Sequence, residues 1–266
     1  MGQLSEGDGV SLSAGLGVAG CVLLDDANGA RHRLHPRAAE ALRSLHTPQS
    51  YSAWMQNCKV QGLQTEDVAA LLRFLYTIGG LHIRQGLKSR GTLLVFRLRL
   101  LAYGCGWHPP VRRWPLGPLA IVQGVTRASS LFGLLVPLTV LALCWAGLPV
   151  PLACGYAGGS YAIFWISTMV HEGVHAVLAA GDGSAVVLQR GLRLGILHKP
   201  GRRRREVVSA LCGPLAGGAV AVLLGLLASW PYLWAVGLFM AVAHLWSLVP
   251  WYGDGEVLWK TGSKRR

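Results

Sequence analysis

The stretch STMVHEGVHAVLAAG, Ser167 to Gly181, decides how this chain is read. It sets His171, Glu172 and His175 inside a run that otherwise reads as a lipid-facing helix. An ionisable side chain left alone near the bilayer centre costs on the order of 2.5 kcal/mol or more. Three of them so close either build something together or mark a segment that is no membrane helix.

The surroundings favour the membrane. No Asp, Glu, Lys or Arg occurs from Ala128 to Val170, nor from Val207 to Gly253. A crossing helix needs about 20 apolar residues, and each gap is more than twice that. Gly147-Leu-Pro-Val-Pro151 and Ser229-Trp-Pro231 put turn residues near the two midpoints. The pattern predicts four spans, roughly 129–147, 154–179, 207–229 and 232–250. Over 266 residues, 52% are hydrophobic and 14% charged, and the mean hydropathy is +0.40. Those values set an ordinary soluble enzyme aside.

A net charge of +13 raises nucleic acid as a partner, but its distribution points elsewhere. Fourteen Lys and Arg precede the first span, seven lie between Asp182 and Arg205, and four follow Trp259, leaving none for the two hairpin turns. Basic residues collect on the cytoplasmic side. The chain is therefore expected to be a multi-pass protein of the cell membrane with both termini and the middle loop cytoplasmic. The run RRRR at 202–205 fits lipid headgroups better than RNA, and no nucleic-acid partner is expected. The six cysteines are scattered without a CxxC pair, as suits reduced thiols.

Ahead of the spans, GLGVAG at 15–20 matches GxGxxG, but CVLLDDANGARHRLHP follows it and reads as strand, turn, strand rather than helix. HPRAAEALRSL (35–45) has helical apolar spacing, and TPQSYSAWMQNC (47–58) opens a second short helix. A third starts at Thr65 with a cap and runs through Val68, Leu71, Leu72 and Leu75, and GGLHIRQG closes with a short strand. Residues 1–90 thus form a small cytosolic winged-helix-like α+β domain. Residues 91–127 mix Arg97, Arg99, Arg112 and Arg113 with Phe96, Trp107 and Trp114, which suits a segment in the membrane interface. Residues 128–266 are the four-helix polytopic membrane domain, so the fold is mostly α. Between spans two and three, VVLQRGLRLGILH alternates as a β-hairpin whose edge could hold an extended peptide.

His171-Glu172-Gly173-Val174-His175 is HExxH. Residues four apart share a helix face, so both imidazoles can reach one metal with Glu172 beside them. Zn2+ suits two nitrogens and a carboxylate with a fourth position left for water. Metal binding lowers that water's pKa to about 7, and an adjacent carboxylate can take its proton. The third ligand must come from Asp182, Glu206, Asp254 or Glu256, the acidic residues that follow. Asp182 is close in sequence to the motif helix, and Glu206 adjoins the arginines. Spans two and four run in the same direction, so Asp254 arrives at the membrane face where HExxH ends and is the best candidate. His244, one turn before Ser247, could serve as an oxyanion donor.

HExxH on one span, SALCGPLAGG (209–218) on the next and SLVPWYGDG (247–255) after it resemble the site-2 protease family of intramembrane zinc metalloproteases. The resemblance covers about 130–260. It implies that His171, His175 and Asp254 bind one Zn2+, that Glu172 is the catalytic base, and that the activity is a metalloendopeptidase's. Ser247 stands where that family often has Asn, Gly217 replaces the Asn that often follows GPxA, and the spacing from Pro250 to Asp254 is one residue short. Those departures leave the oxyanion and substrate contacts to His244 and Ser247. Residues 18–87, with the hairpin, LHPRAAEAL and FLYTIGGLHIRQG, resemble PqqD-like domains that bind leader peptides of ribosomally made peptides. Together they imply hydrolysis of peptide bonds near the cytoplasmic face, in maturation or export of such a peptide. A membrane-spanning protein substrate is one alternative. A non-catalytic, membrane-anchored peptide-binding protein with a structural metal site is the other.

Overall fold

The computed structural model describes residues 9–27, 29–84, 111–181, 183–190, 193–199, 203–228, 230, 232–250 and 253–263. It is mostly helical with small sheets, and the chain divides into two compact units. One takes in 1–115, 184–191 and 197–199; the other takes in 116–183, 192–196 and 200–266.

In the first unit, β1 (Gly9–Leu12) lies between β5 (Gln49–Ser50) and β6 (Leu81–Arg84), antiparallel to both. β2 (Leu16–Ala19), β3 (Val22–Asp25) and β4 (Ala30–Arg33) form a meander, with Leu16 opposite Asp25 and Val22 opposite Arg33. The expected hairpin is therefore present, and the GLGVAG run is strand and turn. Helix α1 (Pro36–Arg43) starts with Pro36 in its first turn and the His35 ring accepting from the Arg37 N–H. Helix α2 (Tyr51–Val60) is capped by Ser50, whose Oγ accepts from the Ala53 N–H at 3.2 Å. Helix α3 (Thr65–Ile78) carries Asp67 folded back to accept from the Gln64 N–H at 3.1 Å, so the cap lies one residue before Thr65.

Leu23, Leu42, Leu45, Trp54, Val68 and Leu75 fill the core of this unit. Trp54 is fully buried and donates its Nε1–H to the Ala41 carbonyl at 3.0 Å, which ties α2 to α1. Removing an aromatic of that size from water is worth about 4–6 kcal/mol as an upper bound.

Arg113, in the segment expected at the membrane interface, is buried. It lies on β7 (Val111–Pro115), is 5% exposed, and forms an ion pair with Asp25 at 2.8 Å. Its other amine donates to the Ile78 carbonyl at 2.6 Å. β7 runs antiparallel to β8 (Val186–Arg190), Val111 opposite Arg190 and Pro115 opposite Val186. Phe96, Arg97, Arg99 and Trp107 lie outside the described residues.

In the second unit, α4 (Pro118–Ala128) and α5 (Ser130–Trp145) follow each other at a 47° bend. The helical pattern thus begins inside the segment expected at the interface. Gly147, at φ 91, ends α5, with the Leu148 N–H reaching the Leu143 carbonyl at 3.0 Å. That is the Schellman-type stop a glycine permits. Helix α6 (Val150–Ala179) carries HExxH, α7 (Arg203–Leu227) carries the GP pair, α8 (Leu233–Trp246) carries His244, and α9 (Gly253–Ser263) carries Asp254. Strand β9 (Arg193–Leu197) also forms where alternation predicts it.

Helices α7 and α8 touch backbone to backbone. A Cβ added at Gly225 would stand 2.8 Å from the Leu233 carbonyl, and one at Gly237 would overlap the Ala221 carbonyl. Small residues at such a crossing are how helices associate without a hydrophobic driving force. Leu134, Leu138, Leu141, Leu226 and Phe239 point away from the packing and stay exposed. Among the described residues two helices, α6 and α7, are long and apolar enough to cross a membrane, and the bent pair α4–α5 makes a third if it counts as one span. Helix α8 is apolar but shorter.

Candidate metal centre

The thirty-residue α6 brings Ser167, His171, Glu172 and Ala176 to its buried face. Asp254 comes from the first turn of α9, where a carboxylate also complements the helix N-terminus. His171 Nε2 stands 3.3 Å from Asp254 Oδ2, and His175 Nε2 stands 3.3 Å from Asp254 Oδ1. One donor atom from each of the three residues lies within 4.8 Å of the others. Ligands held tetrahedrally at about 2.0–2.1 Å from one ion are themselves about 3.3–3.4 Å apart. The three residues could hold a metal ion.

Two further facts test the fit. Glu172 is 8% exposed, and its Oε2, like His175 Nε2, is buried with no hydrogen-bond partner among the described residues. Buried polar atoms are seldom left so. In the form that binds metal the imidazoles are neutral and the carboxyls ionised. A divalent cation would satisfy the free nitrogen and offset the charge. Burial acts to raise the Asp254 carboxyl; the His171 and His175 imidazoles outweigh it and hold the group below the usual carboxylate range.

Behind the ligands lies a shell of polar side chains. His175 Nδ1 is 3.0 Å from Ser209 Oγ. His171 Nδ1 is 3.0 Å from His244 Nδ1, and His244 Nε2 is 3.1 Å from Ser167 Oγ. The Ser247 hydroxyl lies 3.0 Å from Asp254 Oδ2 and 2.8 Å from the His244 carbonyl. His244 and Ser247, expected as oxyanion or substrate contacts, are placed against the ligands. Ser167 and Ser209 escape a sequence reading. Ser167 is four residues before His171 on the same face, which is the one signal that could have found it.

The GP-containing helix approaches closely because it lacks side chains where the ligands stand. A Cβ at Gly213 would overlap the His175 Nε2, and one at Gly217 would lie 3.0 Å from His171 Cβ. On another side, a cavity of about 270 Å³ is lined by Val125, Ala128, Phe132, Phe164 and Leu194, with Ser129, Thr168 and Glu172 as its polar members. Glu206 stays outside the ligand group, and Asp182 lies outside the described residues. Comparison with family models, curated proteins and solved structures finds no match to the chain.

Proposed function

We propose that this chain is a membrane-embedded zinc endopeptidase of the site-2 protease kind. The observation that carries the reading is the buried Glu172, with an unpartnered oxygen, beside the His171–His175–Asp254 group. Three donors leave a fourth position open, as catalytic zinc sites do and closed structural sites do not. Zinc held there would supply Lewis acidity toward a peptide carbonyl and toward water. Glu172 receives the proton that water loses and passes it to the leaving amine. Asp254 and the two imidazoles fix the geometry, and the surrounding helices keep bulk water out. The cavity beside Glu172 gives one apolar side chain of an extended substrate a place next to the scissile bond.

The four-span topology, with HExxH and Asp254 near the cytoplasmic face and both termini cytoplasmic, belongs to the same proposal. The support is the apolar exposed surface of the second unit and the concentration of basic residues outside the charge-free stretches. The first unit, with its β3–β4 hairpin followed by α1, α2 and α3, supports a PqqD-like role in presenting a peptide for maturation or export. A membrane-spanning segment unwound near the inner face is the second substrate class.

Glu172→Gln tests the assignment. It is expected to keep one equivalent of zinc and to lose cleavage of a peptide library by about 10²–10⁴-fold. Cleavage at the native rate by the zinc-loaded variant would sink the mechanism.

A further inference from the structure

His244 has no task in the proposed reaction, yet it is 8% exposed and engaged at both ring nitrogens. The directions of its hydrogen bonds follow from one fact. His171 turns Nε2 toward Asp254, so an ion held there takes the Nε2 lone pair and the ring proton sits on Nδ1. That N–H faces His244 Nδ1 at 3.0 Å, which must accept it. His244 then carries its own proton on Nε2 and donates to Ser167 Oγ at 3.1 Å. The Ser167 hydroxyl is left to donate to the Phe164 carbonyl, 3.1 Å away on its own helix. Reversing the row would put a proton on His171 Nε2 and remove it as a ligand.

We propose that His244, backed by Ser167, is a positioning residue that fixes the tautomer and ring orientation of His171 for the metal. The inference rests on the zinc reading of this site. A histidine suits the task because it accepts from His171 without adding a third carboxylate beside Glu172 and Asp254. Gly217 belongs to the same arrangement. A Cβ there would lie 3.1 Å from His244 Cε1 and 3.0 Å from the Ser167 carbonyl, so the bare helix face makes room for both rings. Where the resemblance leads one to expect Asn, a glycine on one helix and a histidine on the next share the space.

The experiment uses the full chain in lipid nanodiscs. Zinc affinity is read by competition with a chromophoric chelator, and ligand geometry by the visible bands of the Co2+ form. His244→Leu removes the acceptor at similar volume and is expected to weaken zinc by about 10–100-fold and shift the cobalt bands. His244→Asn, whose amide oxygen can accept at the same place, recovers most of the affinity. Ser167→Ala falls between, and adding it to His244→Leu costs nothing more, because both act through one row. If the leucine variant does not fold, the asparagine and alanine variants carry the test, with the same order expected. Native affinity in His244→Leu overturns this inference alone. So does equal loss in the leucine and asparagine variants, or a Ser167→Ala effect that adds in full. A native chain that takes up no zinc overturns the zinc reading and this inference together.

Discussion

In the first unit Asp25 and Arg113 are 1% and 5% exposed and face each other at 2.8 Å. In the second, Glu172 and Asp254 sit with two imidazoles, and Glu172 Oε2 lacks a hydrogen-bond partner among the described residues. Both places take charge out of water, which costs several kcal/mol per ion. The first balances one cation against one anion, although Asp25 Oδ2 and Arg113 Nε also lack a hydrogen-bond partner among the described residues. The second sets Glu172 beside His171, His175 and Asp254, a group that could hold a metal ion. Burial of charge alone therefore does not separate the two sites; the side chains gathered at each do.

The comparison can be broken at several points. Asp254→Ala or His175→Ala should produce the largest change, lowering zinc affinity by well over the 10–100-fold expected for an outer partner. Elemental analysis after dialysis against chelator reads it, and a variant that keeps one tight zinc would mean the ion is held elsewhere. In the first unit Asp25→Asn strands the Arg113 guanidinium and should cost about 3–5 kcal/mol. That loss should appear as faster hydrogen exchange in β2–β4, with zinc content unchanged. The double change Asp25→Leu with Arg113→Met should recover most of the protection, and failure to do so would show that the pair is needed for more than charge balance.

Gly213→Ala is expected next, since its Cβ must displace the His175 ring. Zinc should weaken by about tenfold or more, whereas Gly158→Ala on α6, with nothing within 4 Å of its Cβ, should bind normally. Equal behaviour of the two would remove the steric reason for the GP-containing helix. The smallest effect belongs to Cys58, where burial pushes the thiol from 9.0 up to about 11. Between those values the unfolded chain has released the proton and the folded one has not. The thiol's contribution is whole below about pH 9 and declines as pH rises toward 11. Cys58→Ala should flatten that part of the pH–stability curve, and an unchanged slope would place its origin elsewhere.

The candidate metal group was legible because its parts are rare. HExxH is local, and so few acidic residues follow it that matching the ends of two expected spans pointed to Asp254, which the structure brings beside His171 and His175. The hairpin and the three helices of the first unit were legible from alternation, caps and apolar spacing. What escaped reading depends on contacts between distant segments. Arg113 carries the same local pattern whether it meets phosphate or Asp25, and only the contact with Asp25 decides. His244 is one polar residue on an apolar helix, and its partners are 73 and 77 positions away. No periodicity encodes such distances.

Helix α8 has 14 residues, a length of about 21 Å at 1.5 Å per residue. The hydrocarbon layer is about 30 Å thick. Inserted as the fourth span, α8 leaves a mismatch of several ångströms, which the bilayer meets by thinning at a fraction of a kcal/mol for each ångström. In the proposed four-span arrangement the thin patch would fall beside the helix that holds His244 and leads to Asp254. Headgroups and water would then stand nearer the candidate metal group than the nominal membrane depth implies. Under the proposed function, acyl-chain length would then set how readily an unwound segment reaches Glu172.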